Sequence, residues 1–283
     1  MTGTVLETVL RRDRIVVAGA LAAVTALAWS YIFWLSGSMR MEGGSADADM
    51  SGMTMPDTMM GPGSVMMPEI HSWSGAEFAF VFAMWAVMMV GMMTPSAGPM
   101  ILIYAGVGRQ AALKGRPLAA TGFFAGGYLL AWAAFSLFAT MGQWGLEKAL
   151  LLTPAMASAS HVLSGMILVV AGLYQWTPQK DACLANCQAP LIFIQRNGGF
   201  RRDAFGSLRL GFKHGLYCIG CCWALMALLF VGGVMNILWI AAIAIFVLAE
   251  KILPSGRILT RVAGAVLIAA GIWLVATPYF ATN

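Results

Sequence analysis

The sequence predicts an all-α membrane protein, a polytopic bundle of about seven transmembrane helices. Its 283 residues are 60% hydrophobic and only 10% charged, whereas soluble domains carry about 25% charged residues. Several apolar runs reach the ~20 residues needed to cross the hydrocarbon core of a bilayer. This composition argues against a water-soluble enzyme, a disordered protein and a nucleic-acid-binding protein. The chain also lacks the P-loop motif that would indicate nucleotide binding.

Seven apolar spans are predicted along the chain. They lie at Ile15–Leu35, Phe78–Tyr104, Leu118–Met141, Ala159–Trp176, Phe212–Gly233, Asn236–Ala249 and Val262–Pro278. The second span is longer than a bilayer requires and contains two prolines, which lack the amide hydrogen that a helix needs. A helix break is therefore predicted at Thr94–Pro99. The sixth span is short, so a tight turn or kink is predicted at Gly233–Leu238.

The basic residues predict the orientation of these spans. If the N-terminus is cytoplasmic, 15 of the 17 Lys and Arg residues lie on the inner side, and only Arg40 and Lys148 lie outside. Such an excess of positive charge marks the cytoplasmic side. We therefore expect a multi-pass protein of a bacterial-type inner (plasma) membrane, with the lipid bilayer as its first partner. Residues 1–35 would form a cytoplasmic tail and signal-anchor helix, residues 36–77 an outer loop, and residues 78–283 a six-helix membrane domain.

Methionine supplies the first set of candidate metal ligands. The outer loop Met39–His71 contains nine of the 21 Met residues, together with acidic residues and a histidine. The second span contains a further set, the methionine ladder, which consists of Met84, Met88, Met89, Met92 and Met93. Residues 84, 88 and 92 are four positions apart and share one helix face. Thioethers favour Cu(I). The alternatives are a low-complexity tether for the loop and lipid-facing or packing residues for the ladder.

Cysteine and histidine supply the second set. Its members are His214, Cys218, Cys221, Cys222 and Met226 in the fifth span, and Cys183 and Cys187 in the predicted cytoplasmic loop. Positions 214, 218, 222 and 226 recur every four residues and therefore line one helix face. Thiolates and thioethers select Cu(I), and thiolates with histidine also accept zinc. The alternative is that the buried cysteines are inert small hydrophobic residues.

The methionine ladder and the helix face that carries His214, Cys218, Cys222 and Met226 begin near opposite membrane surfaces, so we expect them to meet near the midplane.

Two further features have alternative interpretations. Glu250 and Lys251 form either a buried charged anchor or an interfacial flank. The glycine pairs Gly122/Gly126 and Gly264/Gly271 are typical of close helix packing.

Several segments together resemble a family described as predicted metal-binding integral membrane proteins, which is filed under a domain of unknown function. The matching segments are residues 84–95, 174–187, 215–226, 233–236 and 250–251. The resemblance covers about Phe78–Pro278, and its most specific part is the cysteine motif around residues 218–222. It implies metal binding, and a copper-chaperone-like role has been proposed for the family.

Three functions fit these patterns. The first is a Cu(I)-binding membrane protein that captures copper outside and relays or delivers it, with zinc as the second metal that the ligands accept. The second is a membrane thiol–disulfide oxidoreductase, in which the Cys218/Cys221 pair exchanges with the Cys183/Cys187 pair. The third is an accessory or assembly subunit of a larger membrane complex, such as a cuproenzyme. No catalytic residue and no organic cofactor is predicted.

Overall fold

The computed structural model describes residues 15–38, 73–115, 118–153, 156–158 and 160–280. These residues form ten helices and no β-strand. The helices are α1 (Ile15–Ser38), α2 (Gly75–Leu113), α3 (Thr121–Lys148), α4 (His161–Gln175), α5 (Pro178–Gln188), α6 (Pro190–Arg196), α7 (Ala204–Ala227), α8 (Leu229–Gly232), α9 (Ile237–Ile252) and α10 (Gly256–Phe280). The predicted all-α class is confirmed for these residues.

Five helical segments are long and apolar enough to cross a membrane. They are α1, α2, α3, α7 together with α8, and α10. Helices α4 and α9 coincide with the fourth and sixth predicted spans, but they contain only 15 and 16 residues. At 1.5 Å per residue, α4 is about 22 Å long, which is shorter than a hydrocarbon core of about 30 Å. The number of seven spans and their orientation therefore stay predictions.

Helix α2 runs without interruption through Pro95 and Pro99, so the predicted break is wrong. Pro95 deprives the carbonyl of Gly91 of its usual amide donor. The indole N–H of Trp29 on α1 donates to that carbonyl instead, over 3.3 Å. Ala28 on α1 packs against the same glycine. A neighbouring helix thus supplies the hydrogen bond that the proline removes, which is how membrane helices tolerate proline.

Close approach between helices depends on a few glycines. Helix α3 packs along both α2 and α7. At Gly127 on α3, an added Cβ would lie 2.0 Å from the carbonyl oxygen of Leu208 on α7. At Gly211 on α7, it would lie 1.9 Å from the carbonyl oxygen of Phe124 on α3. These positions exclude any side chain, and they bring the two backbones together beside the cysteines.

The predicted glycine pairs have different outcomes. Gly264 and Gly271 on α10 lie against the backbone of α4, so their predicted packing role is confirmed. An added Cβ at Gly122 or Gly126 would meet nothing within 4 Å among the described residues. That pair therefore makes no close helix contact with the part of the chain that the structure describes. The contact that α3 makes through glycine uses the neighbouring Gly127.

The segment between α4 and α7, predicted as a loop, is largely helical. The hydroxyl of Thr177 accepts a hydrogen bond from the backbone N–H of Lys180 and caps α5, whose first residue is proline. Helix α5 packs against α7 rather than projecting from it. The turn predicted before the sixth span is confirmed, because the backbone reverses at Gly233 with a φ of 90° and Asn236 caps α9.

Candidate metal centre

All five cysteines gather where α5 packs against α7. Cys218, Cys221 and Cys222 are buried, and Cys183 and Cys187 are half-buried. The thiol of Cys221 lies close enough to Cys187, Cys218 and Cys222 to interact electrostatically with all three. The structure therefore joins the cysteine pair of the predicted loop to the cysteines of the fifth span.

A tyrosine and a glycine fix the position of α5 beside α7. An added Cβ at Gly220 would lie 2.8 Å from the sulfur of Cys183, so this glycine makes room for that thiol. The hydroxyl of Tyr174, just before α5, donates a hydrogen bond to the carbonyl of Gly220. The ring of Tyr174 also meets the ring of Trp223 edge-on, with centroids 5.1 Å apart.

Two of the three thiols on α7 are turned toward their own backbone. The sulfurs of Cys221 and Cys222 donate to the carbonyl of Cys218 over 3.0 and 2.9 Å. All five cysteines are free thiols. Within the described ranges, no group of three or more His, Cys, Asp or Glu side chains is placed to hold a metal ion. A shared ion would require these thiols to rotate away from the carbonyl. The chemistry of the donors suits a soft monovalent metal.

Cys218 is the point where helices α2, α3 and α9 meet the cysteine cluster. The ammonium of Lys251 on α9 lies 2.9 Å from the sulfur of Cys218 and 2.9 Å from the hydroxyl of Ser96 on α2. The hydroxyl of Tyr128 on α3 lies 3.2 Å from the same sulfur. That hydroxyl donates to the carbonyl of Met93 over 3.0 Å. The Met93 end of the methionine ladder is thus connected through Tyr128 to Cys218, the first cysteine of α7.

The methionine ladder faces the protein interior. Each of its five side chains is at most 2% exposed, so the lipid-facing alternative is wrong. Burial agrees both with a ligand role and with simple packing. Its ten positions cover about 14 Å along the helix axis. The ladder is therefore about half as long as the hydrocarbon core of a bilayer is thick.

A chain of polar side chains lies near the Met84 end of the ladder. The indole of Trp85 donates to the amide oxygen of Gln143 over 2.8 Å. The amide nitrogen of Gln143 donates to Glu147 over 2.9 Å, and the indole of Trp73 donates to the same carboxylate over 2.7 Å. Trp73, Gln143 and Glu147 border a cavity that Met156 also lines. The polar chain thus links Trp85 on α2 to Glu147 near the end of α3.

His214 lies one helical turn from Cys218 in an aromatic environment. The centroid of its ring is 6.0, 5.7 and 5.2 Å from those of Phe124, Tyr128 and Phe193. The imidazole is buried, and its Nδ1 has no hydrogen-bond partner among the described residues. At the other end of the same helix face, Met226 is also buried. Both remain candidate ligands next to the thiols.

A buried ion pair anchors the cysteine-bearing helix α5. The ammonium of Lys180 contacts both carboxylate oxygens of Glu250 at 2.9 Å, and the hydroxyl of Thr260 donates to that carboxylate over 2.8 Å. The amide of Gln188 donates to the backbone carbonyl of Glu250 over 2.8 Å. Glu250 and Lys251 are both buried, so the charged-anchor alternative is correct.

Sequence reasoning missed the residues that connect the helices. Lys180, Ser96 and Tyr128 were not singled out, and the thiol contact of Lys251 was not foreseen. The sequence did contain a signal for the lysines, because charged residues are scarce in it. An ionisable residue inside a membrane bundle is a candidate functional residue by default. The outer loop Met39–His71, a predicted metal-recruiting segment, lies outside the described residues.

The match to a protein family agrees with these observations. The family model PpoB2, described as copper chaperone, matches residues 82–274. Comparisons with curated proteins and with solved structures find no match. The matched segment is more than half of the chain, and it includes the methionine ladder, all five cysteines and Lys251. The chain therefore belongs to the PpoB2 copper chaperone family.

Proposed function

We propose that this protein binds Cu(I) within the membrane, captures it from the outer side, and relays or delivers it through methionine and cysteine ligands. One observation carries the proposal. The buried methionine ladder ends at Met93, whose carbonyl is bonded to Tyr128, and Tyr128 contacts the sulfur of Cys218. The side chain of Tyr128 therefore connects the helix segment that carries the thioethers of the ladder to the first of the thiols on α7.

The difference between the two donor types supports a relay. Thioethers are neutral, whereas a thiol that binds copper does so as a thiolate, and metal affinity is coupled to this loss of a proton. We expect the methionines to provide weaker transient sites and Cys218, Cys221 and Cys222 to provide the site that retains copper. Met226, His214, Cys183 and Cys187 are the additional donors within reach of that site. A thiolate buried without a partner is costly, and coordination removes the cost.

The decisive experiment measures copper retention by the purified full chain. The protein is loaded with Cu(I) under reducing, oxygen-free conditions and then dialysed against a soluble Cu(I) chelator. We expect the parent protein to retain copper and the Cys218→Ser/Cys222→Ser variant to lose it. Ala224→Ser is the matched control, because it adds a hydroxyl at a buried position of the same helix without removing a thiol. Copper retention by the double variant at the parent level would overturn the proposal.

The methionine ladder is tested by Met88→Leu. Leucine keeps an apolar side chain but removes the thioether, so we expect faster loss of copper with little change in the unfolding temperature. Met166→Leu on α4 is the control for the same chemical change at a half-exposed position. If both variants lose copper at the parent rate, the ladder is packing rather than a route for copper.

The proposed topology has seven spans, a cytoplasmic N-terminus and an external C-terminus. The asymmetry of the basic residues supports it. Single cysteines introduced at Gly52 and Gly198 should react with a membrane-impermeant thiol reagent from opposite sides of sealed vesicles. The parent chain controls for reaction of its own cysteines. Reaction of both new cysteines from the same side would contradict this topology.

A thiol–disulfide oxidoreductase is the second candidate, and one contact favours it. The thiols of Cys187 and Cys221 lie close together across the contact between α5 and α7. This candidate predicts thiol exchange that depends on both residues, together with copper retention that does not depend on them.

A role as an accessory subunit predicts instead that the protein co-purifies with a client complex such as a cuproenzyme. Loading with Zn(II) in place of Cu(I) tests zinc as the cargo.

A further inference from the structure

Lys251 carries a positive charge for which the bundle shows no carboxylate partner. Its neighbour Glu250 is already committed to Lys180 and Thr260. In the part of the chain that the structure describes, no ion pair joins Lys251 to an acidic side chain. The lysine is 9% exposed. A charge in such a position is unfavourable unless an opposite charge compensates it, so another group has to supply a negative charge.

The contacts of Lys251 identify that group. Its ammonium donates to the sulfur of Cys218 and to the hydroxyl of Ser96, each over 2.9 Å. The hydroxyl of Ser96 donates to the carbonyl of Met93 over 2.9 Å, and Tyr128 donates to the same carbonyl and contacts Cys218. The five groups thus form a closed ring of hydrogen bonds. The ring fixes the ammonium beside the sulfur where the methionine ladder meets the cysteines.

We propose that Lys251 is a positioning residue that compensates the charge of Cu(I) held by two thiolates, one of them Cys218. This inference rests on the proposed copper-binding function. Two thiolates and one Cu(I) ion together carry a charge of −1, and the ammonium restores neutrality in a poorly solvated site. The lysine does not bind the metal. It stabilises the anionic complex through its contact with the sulfur of Cys218. Because the site is electrically neutral when two thiolates bind Cu(I), two is the favoured number of thiolates.

The same reasoning distinguishes monovalent from divalent ions. A divalent ion beside Lys251 reaches neutrality only with three thiolates, whereas Cu(I) reaches it with two. Soft thiolate donors already select Cu(I). The positive charge of Lys251 adds a second criterion, because it favours a monovalent ion when two thiolates bind and a divalent ion when three bind. A third cysteine of the cluster is then free to act in transfer rather than in retention.

The test compares Lys251→Met with Lys251→Arg in the purified full chain loaded with Cu(I). Methionine keeps the approximate length of the side chain but removes the charge, so we expect the chelator to remove copper at least about tenfold more readily. Arginine keeps the charge, and we expect retention close to that of the parent. Lys213→Met is the control, because Lys213 lines a separate polar cavity with Arg209 and Asn197.

A second measurement does not depend on whether Lys251→Met folds. X-ray absorption at the copper edge should show two sulfur neighbours at thiolate distance in the parent protein and in Lys251→Arg. Three or more thiolates in the parent would overturn the inference, and so would parent-like retention by a folded Lys251→Met variant. If Cys218→Ser/Cys222→Ser retains copper, the proposed function itself fails. If that variant loses copper while Lys251→Met retains it, only the role of Lys251 is wrong.

Discussion

Replacing Gly127 with alanine should separate two of the helices that form the proposed copper site. The added Cβ would lie 2.0 Å from the carbonyl oxygen of Leu208, whereas ordinary van der Waals contact begins at 3.4 Å. Because both atoms belong to helix backbones or are attached directly to them, neither can rotate away. The spacing between α3 and α7 must therefore increase locally by about 1.4 Å, since overlap on this scale is strongly repulsive.

This displacement acts directly on the next residue, Tyr128. Its hydroxyl lies 3.2 Å from the sulfur of Cys218 on α7, and an increase on that scale would take the pair out of hydrogen-bonding range. Overpacking in a well-packed core costs about 1–3 kcal/mol. We therefore expect Gly127→Ala to lower the unfolding temperature of the purified protein and to accelerate copper loss to a chelator.

The adjacent glycine provides a matched control. An added Cβ at Gly126 would meet nothing within 4 Å among the described residues. Gly126→Ala should therefore keep the parent stability and copper retention, or slightly exceed the parent stability because alanine favours a helix. If Gly127→Ala and Gly126→Ala behave alike in both assays, the close approach of α3 and α7 does not position the site.

Three further results are expected. Lys180→Met should lower the free energy of unfolding by about 3–5 kcal/mol because it leaves the carboxylate of Glu250 buried without its partner. Adding Glu250→Gln should recover part of that loss in the same unfolding assay, and no recovery would contradict the ion-pair argument. Trp29→Phe should cost about 1–3 kcal/mol in denaturant unfolding because the carbonyl of Gly91 loses its donor, and an unchanged midpoint would show that this contact contributes little. Deletion of Met50–Met67 should lower copper uptake at limiting copper and preserve tight binding, since the cysteines that we propose to retain copper lie outside this segment. Loss of the tight site would assign retention to the deleted segment.

Local periodicity correctly predicted the helices and the buried helix faces that carry the candidate ligands. The four-residue spacing from His214 to Met226 correctly placed these side chains on one buried face, and the spacing of the methionine ladder did the same for α2. Such patterns depend only on the geometry of a single helix. The family resemblance is also confirmed, whereas metal coordination by these residues stays a prediction.

Contacts between distant segments could not be predicted from periodicity. The break expected at Pro95 did not occur because Trp29, 62 residues before Gly91, supplies the missing donor. The proximity of Cys187 to Cys221 depends on how α5 packs against α7. The contact of Lys251 with Cys218 depends on the placement of α9. These outcomes follow from the tertiary arrangement, about which a single sequence holds little direct information.

The buried charges of α9 also bear on how the chain is assembled during synthesis. This helix has 16 residues and ends in Glu250, Lys251 and one further residue, so it is a poor substrate for independent insertion into lipid. Its partners Lys180 and Cys218 lie 70 and 33 residues earlier in the chain. They have therefore already been translated when α9 leaves the ribosome. We expect the earlier helices to provide the polar contacts for α9 as it leaves the translocon, so that the order of synthesis contributes to forming the proposed copper site.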